Sequence, residues 1–248
     1  MSNKILRREN LIGFCFFIMG ELLWGFYSVW IGQDVNWDQR NYHLYTPYAL
    51  LHNRLSYDFL PAQMQTFLNP TLSLFFYFLS TTISPKGVGF ILGAIHGLNF
   101  FLVFLLSHAL LKNLTVRCGL ALSFLLAVTG MYAPISWTEL GTTFGDNVTS
   151  LFVLVSLWIL VRNSEGSIPR RDFYLSGLFV GLAAGLKYAN LIYAAALLAT
   201  VFLTFLLWQR VIASIVFMSL GVVTGIGSVA GMWMWRMWEK FQNPMFPF

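Results

Sequence analysis

The acidic side chains of this chain are few and sit in short polar stretches between long apolar runs, notably Asp34, Asp38, Asp58, Glu139 and Asp146. A carboxylate in such surroundings can act as a general base, taking a proton from a hydroxyl as that hydroxyl attacks, if no structural bond already occupies it. Asp38 is the leading catalytic candidate and Asp34 its rival. Tyr42 stands one helical turn after Asp38 on the same face, and His43 follows it. The competing role for Asp38 is to cap the helix that starts near Trp37.

A second group of candidates would meet a substrate without reacting. Glu139 and Asp146 bracket the string Glu-Leu-Gly-Thr-Thr-Phe-Gly-Asp, whose glycines fit a tight backbone beside a ligand or a helix. Asp146 also suits an N-cap, and Glu139 a solvated loop charge. Lys187, next to Tyr188, interrupts the long apolar run from Phe173 to Trp208. A compact ammonium there would neutralise a phosphate ester, the alternative being a lysine that snorkels to lipid headgroups. Glu21, inside the first apolar run, is expected to pair with His96 or Asn99. The histidines have no metal-ligand spacing, so no metal site is expected, and dependence on a divalent cation is left open.

Elements must hold these residues in place, and composition says what kind. The chain has 248 residues, 57% hydrophobic and 10% charged, against roughly 45–50% apolar and 25% charged in soluble domains. Its formal charge of +5 is carried by short basic clusters between apolar runs, a pattern of membrane topology and not of nucleic-acid binding. Cys15 and Cys118 lie inside apolar runs, which argues against a disulfide framework. At about 20 residues per crossing, about seven crossings fit. The expectation is a single all-α domain, a polytopic membrane helix bundle, with segments at 11–31, 88–111, 118–134, 146–161, 173–186, 189–208 and 211–235.

Lys4, Arg7 and Arg8 before the first segment hold the N-terminus in the cytoplasm, and the clusters around Lys112, Arg117, Arg162, Arg170 and Arg171 then fall on the same side. Residues 32–87 form an outer loop with two juxtamembrane helices. One runs from about Trp37 to Leu55 with a kink at Pro47; the other covers Thr71 to Ile83, started by Asn69 and Pro70 and ended by Ser84 and Pro85.

The outer-loop string Trp37-Asp38-Gln-Arg-Asn-Tyr42-His43-Leu, followed by Pro47, resembles the first-loop motif of bacterial GT-C superfamily glycosyltransferases. The strings Glu139 to Asn147, Gly185-Leu-Lys187-Tyr188 and Asn243-Pro244-Met-Phe-Pro247-Phe resemble further segments of that superfamily. The resemblance implies the N-terminal membrane module of an inverting glycosyltransferase in the bacterial inner membrane, taking a sugar from a polyprenyl-phosphate carrier to an acceptor on the non-cytoplasmic face. Asp38 would be the base and Lys187 would meet the departing phosphate, with Tyr42, His43, Glu139, Asp146 and Tyr188 around the substrate. The implied partners are the lipid-linked donor and membrane lipid, with no nucleic acid and no certain cofactor. Two departures stand out: position 38 has no acidic neighbour, and members of the superfamily usually continue for further helices, so the chain is expected to be truncated at its C-terminus. A transporter or flippase of a lipid-linked saccharide, lined by Glu21, His96 and Lys187, and a non-catalytic partner subunit are the other classes that fit.

Overall fold

The computed structural model describes residues 3–32, 34–58, 62–163, 168–205 and 211–248. Within these the chain is all-helical, with no strand. The α-helices are α1 (Asn3–Ile31), α2 (Tyr45–Leu51), α3 (Thr71–Thr82), α4 (Pro85–Leu110), α5 (Val116–Met131), α6 (Pro134–Thr138), α7 (Asp146–Val161), α8 (Arg170–Leu186), α9 (Leu191–Phe205) and α10 (Val211–Phe241). Single turns of other geometry join them: a π turn at Gln39–His43 and 3-10 turns at Gln63–Phe67 and Tyr188–Asn190.

Residues Gly13–Ile31 of α1, together with α4 and α10, are long and apolar enough to cross a bilayer, which marks the protein as membrane-associated. The 26 residues of α4 reach about 39 Å, more than the roughly 30 Å of a hydrocarbon core. The helices α5, α7, α8 and α9 have 16, 16, 17 and 15 residues and reach at most about 26 Å. Of the crossings expected from hydropathy, three therefore have the length of a full span among the described residues. The end of the arm expected at Trp208 lies outside the described residues.

Two close-packed helix pairs organise the molecule, and both depend on small residues. In α8 and α10, Gly177 and Gly181 face the backbone of Met218 and Val222, while Gly221 and Gly225 face that of Tyr174 and Leu178. A side chain at any of these four positions would meet backbone at once, so the two helices touch main chain to main chain. Phe173, Val180, Ala194, Leu197, Val201 and Met218 form the core around this seam. In the other pair, Gly97 of α4 lies against the Gly20 carbonyl of α1, and Trp24, Phe100, Phe104, Ala127 and Met131 pack around it.

The α7 helix joins the two pairs. The Ser156 hydroxyl donates to the Ser176 carbonyl of α8 at 2.8 Å, and Asn99 of α4 donates to the Asn147 carbonyl at 2.6 Å. That bond, with a second from Ser150 to the Asn99 side-chain oxygen, shows Asn99 engaged with α7 and not with Glu21. Among the described residues Glu21 makes no hydrogen bond or ion pair, so the expected pairing with His96 or Asn99 is not formed. The His96 ring packs against Trp24 instead, nearly perpendicular to it with ring centres 5.5 Å apart.

The stretch expected as one kinked helix from Trp37 to Leu55 is a π turn followed by the short α2. Pro47 has no N–H to return to the His43 carbonyl, and the helix widens in the turn before the proline. The regular bond resumes only at the Tyr48 N–H, 3.4 Å from the Leu44 carbonyl. Asn53, at φ 55°, then turns the chain away before Leu55. The second helix of this region is α3, which begins one residue later than Pro70, and α4 starts at Pro85 with the Ser84 hydroxyl accepting from the Gly87 N–H.

Candidate functional site

The turn that carries Asp38 is capped by Asn36, whose side-chain oxygen accepts from the Gln39 N–H at 2.8 Å. Asp38 itself has helical dihedrals, φ −63° and ψ −43°, and makes no capping bond. Its carboxylate is thus left for other work, and in the first helical turn its negative charge is favoured by the backbone dipole. Tyr42 lies one turn on, and its hydroxyl is held above the usual phenol range by burial first and then by a hydrogen bond to Asp38. His43 turns inward from the same π turn, its Nδ1 2.8 Å from the Ser73 hydroxyl of α3. Burial lowers the His43 pKa to about 4 against the opposing pull of Asp38 and Asp34, so the ring is neutral near pH 7.

Asp38, Tyr42 and His43 open onto a cavity of about 490 Å³. Thr46 of α2 and the Asn69, Pro70 and Ser73 side of α3 line it with them, and the opposite wall is Phe144, Lys187, Tyr188 and Leu191. Met245 and Phe248 close one end. Asn69 fixes the two walls relative to each other. Its amide donates to the Gly185 carbonyl at 2.7 Å and the Val229 carbonyl at 3.2 Å, while its oxygen accepts from the Thr71 N–H at 3.1 Å.

Lys187 is where α8 stops. Its backbone is extended, φ −145° and ψ 109°, which breaks the helix and swings the side chain toward the start of α7. There Nζ lies 2.6 Å from both carboxylate oxygens of Asp146 and 3.4 Å from the Phe144 carbonyl. Asp146 is the first residue of α7, and the N-cap is Gly145 at φ 83°, so the aspartate serves the lysine and not the helix end as a cap. Glu139 stands behind this pair. Its carboxyl is pushed up by burial and then by the neighbouring Asp146 charge and a hydrogen bond to Asp146, with Lys187 acting the other way.

Of the residues singled out in the sequence, the fold brings Asp38, Tyr42, His43, Lys187 and Tyr188 to one cavity. Asp146 joins through Lys187, and Glu139 through Asp146. Asp34 faces a smaller cavity of about 250 Å³, beside Gln39 and Gly141. Its carboxylate accepts from the Thr143 N–H at 2.9 Å, the Thr143 hydroxyl at 3.0 Å and the Asn36 side chain, and so ties the first loop to the residues before α7. Among the described residues no three or more His, Cys, Asp or Glu side chains gather around a point where a metal ion could sit.

Sequence reasoning passed over Asn36, Thr46, Asn69 as a cross-link, and Ser73. The Asn36-x-x-Gln39 spacing carries a capping-box signal, whereas Asp34 and Asp38 suit an N-cap by side-chain type alone. The bonds from Asn69 to Gly185 and Val229 have no local signature at all, because their partners lie far along the chain. No family model matches this sequence, and no curated protein and no solved structure matches it.

Proposed function

We propose that this chain is an integral-membrane glycosyltransferase that moves a sugar from a polyprenyl-phosphate carrier to an acceptor hydroxyl, at a site on the non-cytoplasmic side of a bacterial inner membrane. The observation that carries the reading is the cavity in which a carboxylate that is not spent on a helix cap, Asp38 beside the Tyr42 hydroxyl, and a cation, Lys187, share largely apolar walls. A lipid-linked donor needs a greasy approach, a cation for the phosphate and a base for the acceptor. In this reading the three full-length spans and the shorter apolar helices between them complete a bundle of about seven crossings with the N-terminus in the cytoplasm.

The step follows from the two charges. The acceptor oxygen bonds to the anomeric carbon as its proton passes to the Asp38 carboxylate, and the bond from that carbon to the phosphate oxygen breaks with its electron pair leaving on the phosphate. Attack opposite the leaving group inverts the carbon. Lys187 meets the charge that develops on the phosphate, and a cation already held in place is effective because it need not reorganise. Its ion pair with Asp146 is about one-third exposed, with side-chain exposures of 35% and 36%. Pairs so open to water contribute about 0–1 kcal/mol, so an arriving phosphate competes for the lysine at small cost.

The test is release of polyprenyl phosphate from a panel of lipid-linked sugars by the purified chain and by its Asp38→Asn variant. The amide keeps the shape of the side chain but accepts no proton, so turnover is expected to fall by about 10²-fold or more. Turnover within a few-fold of the unsubstituted protein would remove Asp38 from the chemistry. Tight binding of the lipid with no release from any donor would favour the transporter class.

A further inference from the structure

The α10 helix is longer than a crossing requires. Its 31 residues extend about 46 Å, and roughly 20 of them span the hydrocarbon, so with Val211 at one boundary its final turns stand in the opposite headgroup layer. Trp235 and Trp238 are exposed there, as tryptophans at a membrane interface are, while Trp233 turns inward and its indole donates to the Phe67 carbonyl at 2.9 Å. Arg236 and Lys240 lie one helical turn apart in this stretch. With Asn53, Ser56 and Glu239 they line a second cavity, of about 390 Å³, between the end of α10 and the loop after α2. It shares no lining residue with the larger cavity.

The two cations differ in what holds them. Lys240 donates to the Leu55 carbonyl at 3.0 Å and lies over the Phe67 and Phe241 rings, 5.2 and 5.7 Å from their centres. Its place in the last turn also suits the backbone dipole. Arg236 stands before that turn, and among the described residues its guanidinium has no hydrogen bond and no ion pair. The acids of the two segments are otherwise engaged: Glu239 accepts from the Trp235 indole at 2.9 Å, and Asp58 accepts from Arg54 at 2.5 Å and the Tyr45 hydroxyl at 2.9 Å. Two cations and one carboxylate thus leave the cavity with one positive charge over.

A planar guanidinium beside an ammonium suits a phosphate, and in the headgroup layer of a bilayer phosphate is carried by phospholipid. We propose that this cavity binds an anionic phospholipid by its phosphodiester, with Arg236 as the forked donor, Lys240 beside it, and Asn53 and Ser56 available to a headgroup hydroxyl. The single charge of phosphatidylglycerol balances the cavity, whereas a choline headgroup brings a further cation to a site already positive. The site requires that α10 crosses the bilayer and is independent of the transferase reading.

The probes are phosphatidylglycerol and phosphatidylcholine with the same dioleoyl chains, titrated into the full chain in a neutral detergent and followed by native mass spectrometry. The unsubstituted protein is expected to bind phosphatidylglycerol about tenfold more tightly, and Arg236→Gln, which breaks no bond within the protein, should lose about fivefold or more of that preference. Lys86→Gln removes the same charge from an exposed position at the start of α4 and should leave the preference unchanged. Equal affinity of the unsubstituted protein for the two lipids overturns the site, as does a preference that survives Arg236→Gln. A preference that falls as far in Lys86→Gln reduces the effect to general surface charge and overturns it too. Displacement of the lipid by glycerol 3-phosphate at equal concentration would make the ligand a soluble phosphate and overturn the lipid assignment. Sugar release from lipid-linked donors tests the transferase reading separately from all of these.

Discussion

Glu139 holds its proton longer than an ordinary glutamate because the ionised form would be half-buried and would face the Asp146 carboxylate. Burial, then Asp146, raise its pKa to about 7, and Lys187 offsets only part of this. A folded-state pKa above the unfolded value means that the native protein binds the proton more tightly, so the linked stability is fully present below the unfolded value near 4.5 and is lost as pH rises through about 7. The Glu139 contribution should therefore favour pH 5 over pH 8, and Glu139→Gln, which is neutral throughout, should shift the melting-temperature difference between pH 5 and pH 8 toward greater stability at the higher pH; an unchanged difference in the variant would place the titration elsewhere. His43 works in the opposite sense, since burial lowers its pKa from the ordinary 6.5 to about 4 and the stability linked to it is lost as pH falls below 6.5, whereas Tyr42, held above the usual phenol range, does not titrate between pH 5 and 8. Lys187→Met should weaken binding of a polyprenyl phosphate while leaving the fold intact, and a lipid affinity equal to that of the unsubstituted protein would return the lysine to a role in the Asp146 pair alone. At this scale the sequence showed which residues were chemically interesting because charges in an apolar chain are conspicuous. It left the cap of the turn open among Asp34, Asn36 and Asp38, whose side chains all suit the position; in the structure Asp34 is held by Thr143, Asp38 is already helical, and Asn36 takes the Gln39 N–H.

The elements hold the cavity open through the α8–α10 seam, because Asn69 anchors α3 to Gly185 of one helix and Val229 of the other. That seam depends on glycine, and the dependence is specific to position. A side chain at Gly181 would meet the Val222 backbone, whereas one at Gly227 in α10 would meet nothing within 4 Å. Gly181→Leu should therefore destabilise the protein by about 1–3 kcal/mol or more and loosen ligand binding with it. Gly227→Leu should be neutral or slightly stabilising, since leucine is about 1 kcal/mol better than glycine in a helix. Thermal unfolding of the two variants in one detergent checks the pair, and equal melting temperatures would show that the seam is not the critical contact. The break at Lys187 was legible in the sequence because a charge, a tyrosine and an asparagine interrupt one apolar run. The glycine seam was only half legible: Gly181 and Gly185 have packing spacing, but nothing local says that Gly221 and Gly225 are their counterparts. The π turn was not legible, because proline predicts a disturbed helix without saying whether it kinks or widens.

Among the described residues, the ends of the α7–α8 hairpin carry different charges. The α7 helix runs from Asp146 to Val161 and is followed by Arg162, and α8 returns from Arg170 and Arg171 to Leu186 and Lys187. One end of this hairpin carries the Lys187–Asp146 pair and the cavity, and the other carries the arginines, with Arg162 3.5 Å from Asp172. Lys112 and Arg117 flank the connection from α4 to α5, at the opposite end of α4 from Ser84 and the loop that bears Asp38. Clusters of basic residues near helix ends favour the cytoplasmic side, because they resist transfer across the bilayer during insertion, and the proposed orientation rests on these clusters against scattered basic residues at the other end, Lys86 of α4 and Lys240 of α10 among them. Hydropathy foresaw the helical membrane class for the same reason, but not the helix lengths, which depend on where Pro134, Gly145 and the Lys187 break cut the apolar runs. The orientation is open to direct measurement. In a background with the exposed Cys15 and Cys118 replaced by serine, Arg40→Cys, two residues from Asp38 and exposed, should react with a membrane-impermeant thiol reagent from the non-cytoplasmic side. Asn113→Cys, in the exposed α4–α5 connection, should react only once the cytoplasmic side is opened. If position 40 is labelled from the cytoplasm alone, the cavity opens toward the cytoplasmic leaflet, and a donor supplied from the other side could not be its substrate, whatever the chemistry of Asp38.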